Sequence, residues 1–321
     1  MNTPSYEDVL KAAERIDGHA VKTPLLHSPD IDAIAGAEIH FKAECLQHVG
    51  AFKYRGARNR LAAMSDTERE RGVVAFSSGN HAQGVARAAK ELGIDAIIVM
   101  PSDAPAVKVA GVRRDGATIV SYDRLNESRE AIAAQIAEED GRTIVPSYDD
   151  PYIIAGQGTV GLEIARSDLD FDALVTCMGG GGLCAGISLA MGQESPETHI
   201  FGSEPTHYND HQMSLRSGSR QRIRDDAPPT LCDAIMTPTP GQMTWPINAE
   251  SLTDVFDVSD ENCLYAMKLA RTHLDVTLEP GGAAAMAAVV TGRLPDHYQR
   301  VAVILSGGNV DPDVLERALR T

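Results

Sequence analysis

Short apolar runs alternate with amphipathic segments through the middle of the chain. Between residues 73 and 146, the apolar runs are separated by segments whose apolar positions recur at helical spacing. Glycines close these segments, as they commonly close helices. The pattern predicts strands at 73–76, 94–101, 117–122 and 142–146, and helices at 82–93, 104–116 and 126–141.

A second series of the same kind follows, with strands predicted at 174–178, 199–204 and 301–306 and a helix at 183–192. Strands that alternate with helices predict a parallel sheet with helices on both faces. Two such α/β units side by side leave a cleft at the carboxyl ends of their strands, where open sheets bind ligands. The segment 213–250 is rich in Pro, Ser and Arg, and we predict an irregular excursion over the surface beside that cleft.

Composition narrows the class of protein. The 321 residues are 43% hydrophobic and 23% charged, which is ordinary for a globular chain of one large or two modest domains. A formal net charge of -16 argues against nucleic acid or an anionic membrane as a partner. We expect neither a signal peptide nor a bilayer-spanning segment. The scattered cysteines predict free thiols in a reducing cytoplasm; they are Cys45, Cys177, Cys184, Cys232 and Cys263.

Three glycine-rich or polar turns follow predicted strands. The run M-G-G-G-G-L at 178–183 opens a helix, where converging backbone N–H groups form a phosphate cradle. It lacks the Lys-Ser/Thr of a P-loop, so a magnesium nucleotide is not expected there. The run S-S-G-N-H at 77–81 suits an anion such as a carboxylate, with a simple helix cap as the alternative. The run S-G-G-N at 306–309 is equally compatible with an ordinary turn.

Lys53 lies between two aromatic residues in V-G-A-F-K-Y-R-G-A, residues 49–57. A surface lysine needs no such setting, whereas a lysine that works as an amine nucleophile does. Taken together, the motifs describe a ligand with a phosphate, an aromatic ring bearing a polar atom, a carbonyl for the lysine, and a carboxylate. Pyridoxal phosphate with an amino acid has all four features.

The order of the motifs resembles that of the fold-type II pyridoxal phosphate enzymes, and among them the serine racemase, serine/threonine dehydratase and 3-hydroxyaspartate dehydratase group. The resemblance covers roughly residues 5–315. It implies a tryptophan synthase β-like α/β fold, with two three-layer domains, mostly parallel sheets and the active site in the cleft between them. Residues 1–70 and 152–321 would form the large cofactor-binding domain and residues 71–151 a small mobile one, without a C-terminal regulatory domain. The matching motifs are G-A-F-K-Y-R-G-A, S-S-G-N-H-A-Q, A-G-Q-G-T, G-G-G-G-L, L-E-P-G-G-A and S-G-G-N.

The resemblance also implies a role for each motif residue. Lys53 would hold the cofactor covalently and then act as the base for the α-proton, with Ser78 as the base on the opposite face. Ser306 would meet the pyridine nitrogen and leave it largely unprotonated. The implied cofactor-binding residues are Phe52, Lys53, Asn80, Gly179, Gly180, Gly181, Gly182, Leu183, Glu279 and Ser306. The residues implied to bind the α-carboxylate are Ser77, Ser78, Asn80 and His81.

The run E-P-T-H-Y-N-D at 204–210 resembles the divalent-cation site of serine racemases. Glu204, the backbone carbonyl of Tyr208 and Asp210 have the spacing of that site. Such oxygen ligands suit Mg²⁺, or alternatively Ca²⁺ or Mn²⁺. An acidic loop on an acidic protein is the other interpretation.

The predicted reaction is the dehydration and deamination of a β-hydroxy amino acid, with 3-hydroxyaspartate as the first choice of substrate. A second carboxylate needs a cation in the pocket. Arg129 matches an arginine that reaches the active site in the racemase group, although it could equally be a solvated helix residue; His207 is a weaker candidate. A serine/threonine dehydratase, a serine racemase and, more remotely, a non-catalytic amino-acid sensor stay open. The resemblance suggests a homodimer.

Overall fold

Residues 3–77, 79–104 and 106–321 are described by the structure, a computed structural model. Within these ranges the chain forms two sheets covered by helices, and no helix there is long and apolar enough to cross a membrane. The strands are β1 Leu25–His27, β2 Glu38–Lys42, β3 Val73–Phe76, β4 Ala96–Pro101, β5 Thr118–Tyr122, β6 Thr143–Ile144, β7 Ala173–Cys177, β8 His199–Pro205, β9 Leu252–Val258 and β10 Arg300–Ile304. The helices are α1 Tyr6–Ile16, α2 Pro29–Ala35, α3 Lys53–Ala62, α4 Asp66–Arg71, α5 Asn80–Leu92, α6 Ala106–Arg114, α7 Arg129–Asp140, α8 Pro151–Ala165, α9 Gly182–Glu194, α10 Asp210–Ser217, α11 Thr244–Ser251, α12 Asp260–His273, α13 Pro280–Val290 and α14 Pro312–Arg320.

The larger sheet has six strands in the order β1-β2-β10-β7-β8-β9. Only β1 is antiparallel to its neighbour, and the remaining pairs are parallel. Strand β7 is buried along its whole length, because helices cover both faces of a parallel sheet. We call this sheet and its helices the six-stranded lobe.

The smaller sheet has four parallel strands in the order β5-β4-β3-β6. Helices α5, α6 and α7 pack against it, and this unit is the four-stranded lobe. The lobe has hydrophobic clusters separate from the large core of the other lobe. The predicted α/β class with mostly parallel sheets is therefore confirmed. The four-stranded lobe falls within residues 71–151, the range given for the small domain. That this domain is mobile stays a prediction.

The segment 213–250 is less irregular than the sequence predicted. Helix α10 extends into it, a 3₁₀ turn forms at Asp233–Ile235, and α11 begins at Thr244. Both α10 and α11 are only eight residues long, which is too short for a clear helical period in the sequence. The rest of the segment carries no regular element, and part of it borders the cavity described below.

A buried ionic network fixes the start of α3, which is the helix that begins with Lys53. Arg55 bonds both oxygens of Glu44, at 2.8 Å each, and both oxygens of Glu163, at 2.6 and 3.0 Å. Lys42 also contacts Glu163, at 2.5 Å. Burial alone would raise the pKa of Glu44, but the Arg55 guanidinium lowers it overall. Two forked hydrogen-bond pairs leave Arg55, and hence the first turn of α3, little freedom.

Candidate active site

The cavity between the two lobes lies at the carboxyl ends of strands from both sheets. Apart from the weaker candidate His207, every predicted cofactor- or substrate-binding residue that the structure describes lines it. Ser78 lies outside the described residues, so its role stays a prediction. The predicted residues that line the cavity are Phe52, Lys53, Ser77, Asn80, His81, Arg129, Gly179, Gly180, Gly181, Gly182, Leu183, Glu279 and Ser306.

The turn after β10 holds the backbone on either side of Lys53. The Phe52 N–H donates to the Ser306 carbonyl at 3.1 Å, and the Gly308 N–H donates to the Gly50 carbonyl at 2.9 Å. Gly50 has a φ of 71°, and an added Cβ would lie 2.9 Å from the Asn309 side-chain oxygen. Position 50 therefore requires glycine, both for its backbone conformation and for the close approach.

The Lys53 amine lies inside the cavity and is partly buried. Its Nζ donates to the Ser147 carbonyl at 2.9 Å and lies 5.0 Å from the centre of the Phe52 ring. Burial lowers the pKa of Lys53 to about 8, because the neighbouring Cys177 and Glu279 offset the loss of hydration only in part. At pH 7 about a tenth of Lys53 is therefore the neutral, nucleophilic amine, far more than for a lysine with an ordinary pKa.

The glycine run forms a tight turn from β7 into α9. Gly181 has a φ of 88°, and an added Cβ would lie 2.5 Å from the Asn248 amide nitrogen. At Gly180 an added Cβ would lie 2.3 Å from the Tyr148 ring. Only glycine fits these two positions, and the first N–H groups of α9 have no partner within the helix. The turn is thus shaped to bind an anion such as a phosphate at a helix N-terminus.

Asn80 and Glu279 form the polar part of the cavity wall. The Asn80 amide donates to a Glu279 oxygen, and its own oxygen accepts from the Asn309 amide at 2.7 Å. Among the described residues, the other Glu279 oxygen has no hydrogen-bond partner although it is buried. Burial raises the pKa of Glu279 to about 7, against the opposing effects of Lys108 and Asn80.

His81 is buried and uncharged. Its Nε2 lies 2.8 Å from the Val145 carbonyl oxygen, to which it donates. Burial, together with the nearby Lys53, lowers the pKa of His81 to about 3. Because a neutral imidazole that donates from Nε2 carries no hydrogen on Nδ1, the ring has nothing left to donate to a substrate carboxylate.

Two cations of the four-stranded lobe reach the cavity. Arg129 is the first residue of α7; its Cζ lies 5.5 Å from the Phe76 ring centre, and its Nε contacts Glu130 at 2.8 Å. Lys108 of α6 contacts Asp233 at 2.8 Å. The sequence analysis missed Lys108, and helical periodicity gave no signal for it. His207 lines a different pocket, near Asn209 and Arg224.

Two more residues that the sequence analysis missed line the cavity. Tyr148 packs over the glycine run. The next residue, Asp149, accepts the N–H groups at the start of α11, which fixes Tyr148 against the six-stranded lobe. The Cys177 thiol donates to the Ser306 hydroxyl with an Sγ–Oγ distance of 3.0 Å. Cys177 is the last residue but one of a predicted strand, which was the only hint that its side chain could reach the site.

Beside the glycine run lies a buried cluster of Glu204, Asp210 and His211, whose candidate ligand atoms all lie within 4.8 Å of one another. Glu204 accepts the backbone N–H groups of His211 and Gln212, at 3.0 and 3.1 Å. Neither Asp210 oxygen has a hydrogen-bond partner among the described residues, although both are buried. Burial raises the pKa of both carboxyl groups to about 8. Tyr208 is also buried, in the connection from β8 to α10.

The sequence analysis missed His211. Its Nδ1 lies 3.1 Å from Glu204, and its Nε2 lies 2.7 Å from where a Cβ at Gly181 would be. The acidic cluster and the glycine run are therefore adjacent, and His211 contacts both.

Comparison with known proteins gives the family. The model of the pyridoxal-phosphate dependent enzymes matches residues 16–307. The chain belongs to this family. Among its relatives in the family is an L-threo-3-hydroxyaspartate ammonia-lyase of a Pseudomonas species, 45% identical over 97% of both chains. A serine racemase of Schizosaccharomyces pombe is 42% identical over 96% of this chain and 95% of that one. Maize serine racemase has the same fold, with a TM-score of 0.94, 35% identity and coverage of 99% and 98%.

The fold is therefore that of the fold-type II pyridoxal phosphate enzymes, and the described residues fit the cofactor. The cavity offers the amine of Lys53 with a lowered pKa, a glycine cradle at a helix N-terminus, and a hydroxyl in Ser306. The unpartnered Glu279 oxygen marks a further place where a ligand group completes the wall.

Proposed function

We propose that this pyridoxal phosphate enzyme removes water from 3-hydroxyaspartate. The immediate product is iminosuccinate, which water converts to oxaloacetate and ammonia. The relatives named for this ammonia-lyase activity support the reaction class. The structural observation that carries the choice of substrate is Arg129, a cation on the cavity wall suited to a second carboxylate.

The chain's own residues would hold the cofactor. Pyridoxal phosphate, when bound, supplies an aldehyde for a covalent link and an electron sink for the bond-breaking steps. The backbone of Gly179 to Leu183 would bind the phosphate, and the Phe52 side chain would pack against the ring. Asn80 would donate to the ring oxygen, Glu279 would border the ring, and Ser306 would face the ring nitrogen. Lys53 would make the covalent link.

Lys53 would also perform the proton transfer. When it is not linked to the cofactor, the Lys53 amine would take the proton from the substrate α-carbon. Its pKa of about 8 keeps part of it neutral at physiological pH. The ammonium that results can protonate the departing β-hydroxyl, so that one residue handles both protons of the dehydration.

The α-carboxylate would bind at the start of α5. Ser77 offers a side-chain donor, and the first N–H groups of the helix lack intrahelical partners. Asn80 would contribute its backbone N–H, because its two amide hydrogens go to Glu279 and to the ring oxygen. His81 would contribute its backbone N–H, since its ring already donates to Val145 and stays neutral. Ser78 keeps its predicted roles in carboxylate binding and as the base on the opposite face.

Arg129 would bind the second carboxylate. Its present partner is Glu130, whose side chain is 58% exposed, so that ion pair contributes little and is easily exchanged. A guanidinium can bond a carboxylate through two parallel hydrogen bonds. Lys108 is less available, because its ammonium is already paired with Asp233 in a mostly buried position.

We also propose that Glu204, Asp210 and the Tyr208 carbonyl hold a divalent cation, Mg²⁺ or alternatively Ca²⁺ or Mn²⁺. The observation that fits a cation is the pair of buried, unpartnered Asp210 oxygens beside a second buried carboxylate. Hard oxygen donors of this kind suit these ions. His211 would orient Glu204 through its Nδ1.

We further propose a homodimer in the cytoplasm, with a four-stranded lobe that moves to close the cavity. The family resemblance supports the dimer and the moving lobe. Five buried free thiols support a reducing compartment. Light scattering at several protein concentrations tests the dimer.

Serine racemase or serine/threonine dehydratase is the second candidate, favoured by the 42% identical racemase relative. Product analysis separates the candidates. Purified enzyme is given serine, threonine and each 3-hydroxyaspartate stereoisomer, and 2-oxo acid and ammonia are measured. Equal amounts of oxaloacetate and ammonia from one hydroxyaspartate isomer support the proposal. Faster release of pyruvate from serine, or inversion of serine without release of product, would move the assignment to the second candidate.

A further inference from the structure

Cys177 and Ser306 meet at the ends of two neighbouring parallel strands. Strand β7 ends at Cys177, and Ser306 follows the end of β10, with Val303 opposite Val175 in the register. The Cys177 thiol donates to the Ser306 hydroxyl at 3.0 Å. Both residues line the cavity and are buried, at 3% and 4% exposure.

The backbone of Ser306 is fixed on both sides. Its N–H donates to the Gly282 carbonyl at 3.3 Å, and its carbonyl accepts the Phe52 N–H at 3.1 Å. The backbone of Ser306 cannot easily move, but its hydroxyl group can still rotate, and neighbouring side chains can control that rotation.

The Cys177 thiol determines which hydrogen bonds the Ser306 hydroxyl can still make. A serine hydroxyl has one hydrogen and two lone pairs, and the Cys177 hydrogen occupies one lone pair. Within the described part of the chain, no protein acceptor takes the Ser306 hydrogen, which leaves it to point into the cavity. Burial raises the pKa of Cys177 to about 11, so the thiol keeps its hydrogen at neutral pH.

We propose that Cys177 is a positioning residue, whose thiol holds the Ser306 hydroxyl as a hydrogen-bond donor to the ring nitrogen of the bound cofactor. The inference rests on the part of the proposed function in which Ser306 faces that nitrogen. A nitrogen that accepts this hydrogen bond cannot carry its own proton. Cys177 thus acts, through Ser306, on how strongly the ring withdraws electrons.

Without the thiol, the hydroxyl can turn and accept a hydrogen bond from a protonated ring nitrogen. The ring then withdraws electrons more strongly, and it no longer suits rapid β-elimination. A merely structural role for Cys177 would change the stability of the protein but not the protonation state of the ring.

The test uses pyridoxine 5′-phosphate and the full chain freed of cofactor. This analogue has the ring nitrogen and the phosphate but no aldehyde, so its binding requires neither the Lys53 reaction nor activity. Its ultraviolet spectrum reports the protonation state of the ring nitrogen, and a pH titration of the complex gives the pKa of that nitrogen. The variants are Cys177→Val, which removes the donor and keeps the bulk, Cys177→Ser, which restores a donor, and Ser306→Ala.

With Cys177→Val we expect the pKa of the bound ring nitrogen to rise by about one unit and the dissociation constant to rise about three- to tenfold. Cys177→Ser should return both values towards those of the wild type. Cys45→Ala is the control, since Cys45 is another buried thiol of the same core that lies beside Gly308, outside the cavity lining. Cys177→Ala replaces the valine variant if valine prevents folding.

The possible outcomes separate this inference from the proposed function. If Ser306→Ala shifts the titration and Cys177→Val leaves it unchanged, the role of Cys177 is wrong while that of Ser306 stands. If Ser306→Ala also leaves it unchanged, the assignment of Ser306 to the ring nitrogen fails, and the inference fails with it.

Discussion

Lys108 and Asp233 form an ion pair of 2.8 Å that joins the two lobes at the cavity. Lys108 belongs to α6 of the four-stranded lobe, and Asp233 belongs to a 3₁₀ turn of the other lobe. The two partners differ in burial: 6% of the Lys108 side chain is exposed, against 48% of the Asp233 side chain. The Lys108 ammonium has lost most of its hydration and needs its partner to offset that loss, whereas the Asp233 carboxylate is still hydrated.

The first prediction follows from this asymmetry. Asp233→Asn should lower the free energy of unfolding by about 1–2 kcal/mol, because it leaves a buried ammonium unpaired. Lys108→Met should change it by less than about 0.5 kcal/mol, because the carboxylate left behind is half exposed. Urea denaturation measures both values. Asp103→Asn, in the exposed pair with Arg124, is the control and should have no measurable effect. The reverse order of the two main variants would contradict the account.

The second prediction concerns the pH dependence of cofactor attachment. Because burial lowers the pKa of Lys53 to about 8, the neutral amine is the minority form below that pH and the majority form above it. The rate of attachment to cofactor-free enzyme should rise about tenfold per pH unit below pH 8 and then level off. Stopped-flow absorbance of the covalent link measures this rate. A rate that continues to rise beyond pH 10 would indicate a lysine with an ordinary pKa.

The third prediction compares two glycines at opposite ends of one helix. Gly180→Ala, just before α9, should weaken binding of the cofactor at least tenfold, because the new methyl group would overlap the Tyr148 ring and distort the cradle. Gly192→Ala, near the end of α9, meets nothing within 4 Å and should stabilise the protein by about 0.5–1 kcal/mol. Equilibrium titration with the cofactor and urea denaturation measure the two effects. Equal affinities for the two variants would argue against the cradle.

The fourth prediction concerns the acidic cluster. The change in stability caused by Asp210→Asn should have opposite signs with and without metal. In chelator at neutral pH, Asp210→Asn should be more stable than the wild type, because burial raises the pKa of Asp210 to about 8 and the carboxyl group must bind a proton on folding, which the amide need not do. With Mg²⁺, Ca²⁺ or Mn²⁺ present, the wild type should become the more stable protein, since the cation requires that carboxylate. Melting temperatures measured in the two conditions test this reversal. A wild type that does not respond to any of the three ions would exclude the site.

Much of the four-stranded lobe could be predicted from the sequence. Strand β3 has the predicted bounds, and β4, β5, α5 and α7 begin or end within a few residues of theirs. The reason is that short apolar runs and glycine stops are local signals. Helices α8 and α13 were not predicted. Both are buried along most of their length, so neither has a polar face to give a helical period.

The candidate site could be predicted where the chemistry lies in contiguous motifs, as with Lys53 and the glycine run. Lys108, Cys177 and His211 were missed for a different reason. Each reaches the site through contacts between elements far apart in the chain, such as Lys108 with Asp233 and Cys177 with Ser306. No pattern within a short window encodes such a contact.

We propose above that the enzyme acts on a dicarboxylic β-hydroxy amino acid, whose second carboxylate Arg129 recognises. The most direct measurement is the ratio of kcat/KM for L-threo-3-hydroxyaspartate to that for L-serine, in the wild type and in Arg129→Met. We predict a ratio well above one in the wild type and a fall of about 100-fold in the variant, through the loss of a charge-assisted pair, with serine turnover little changed. Arg124→Met, in an exposed surface pair, is the matched control. A ratio near one in the wild type, or a ratio that Arg129→Met leaves unchanged, would contradict the account.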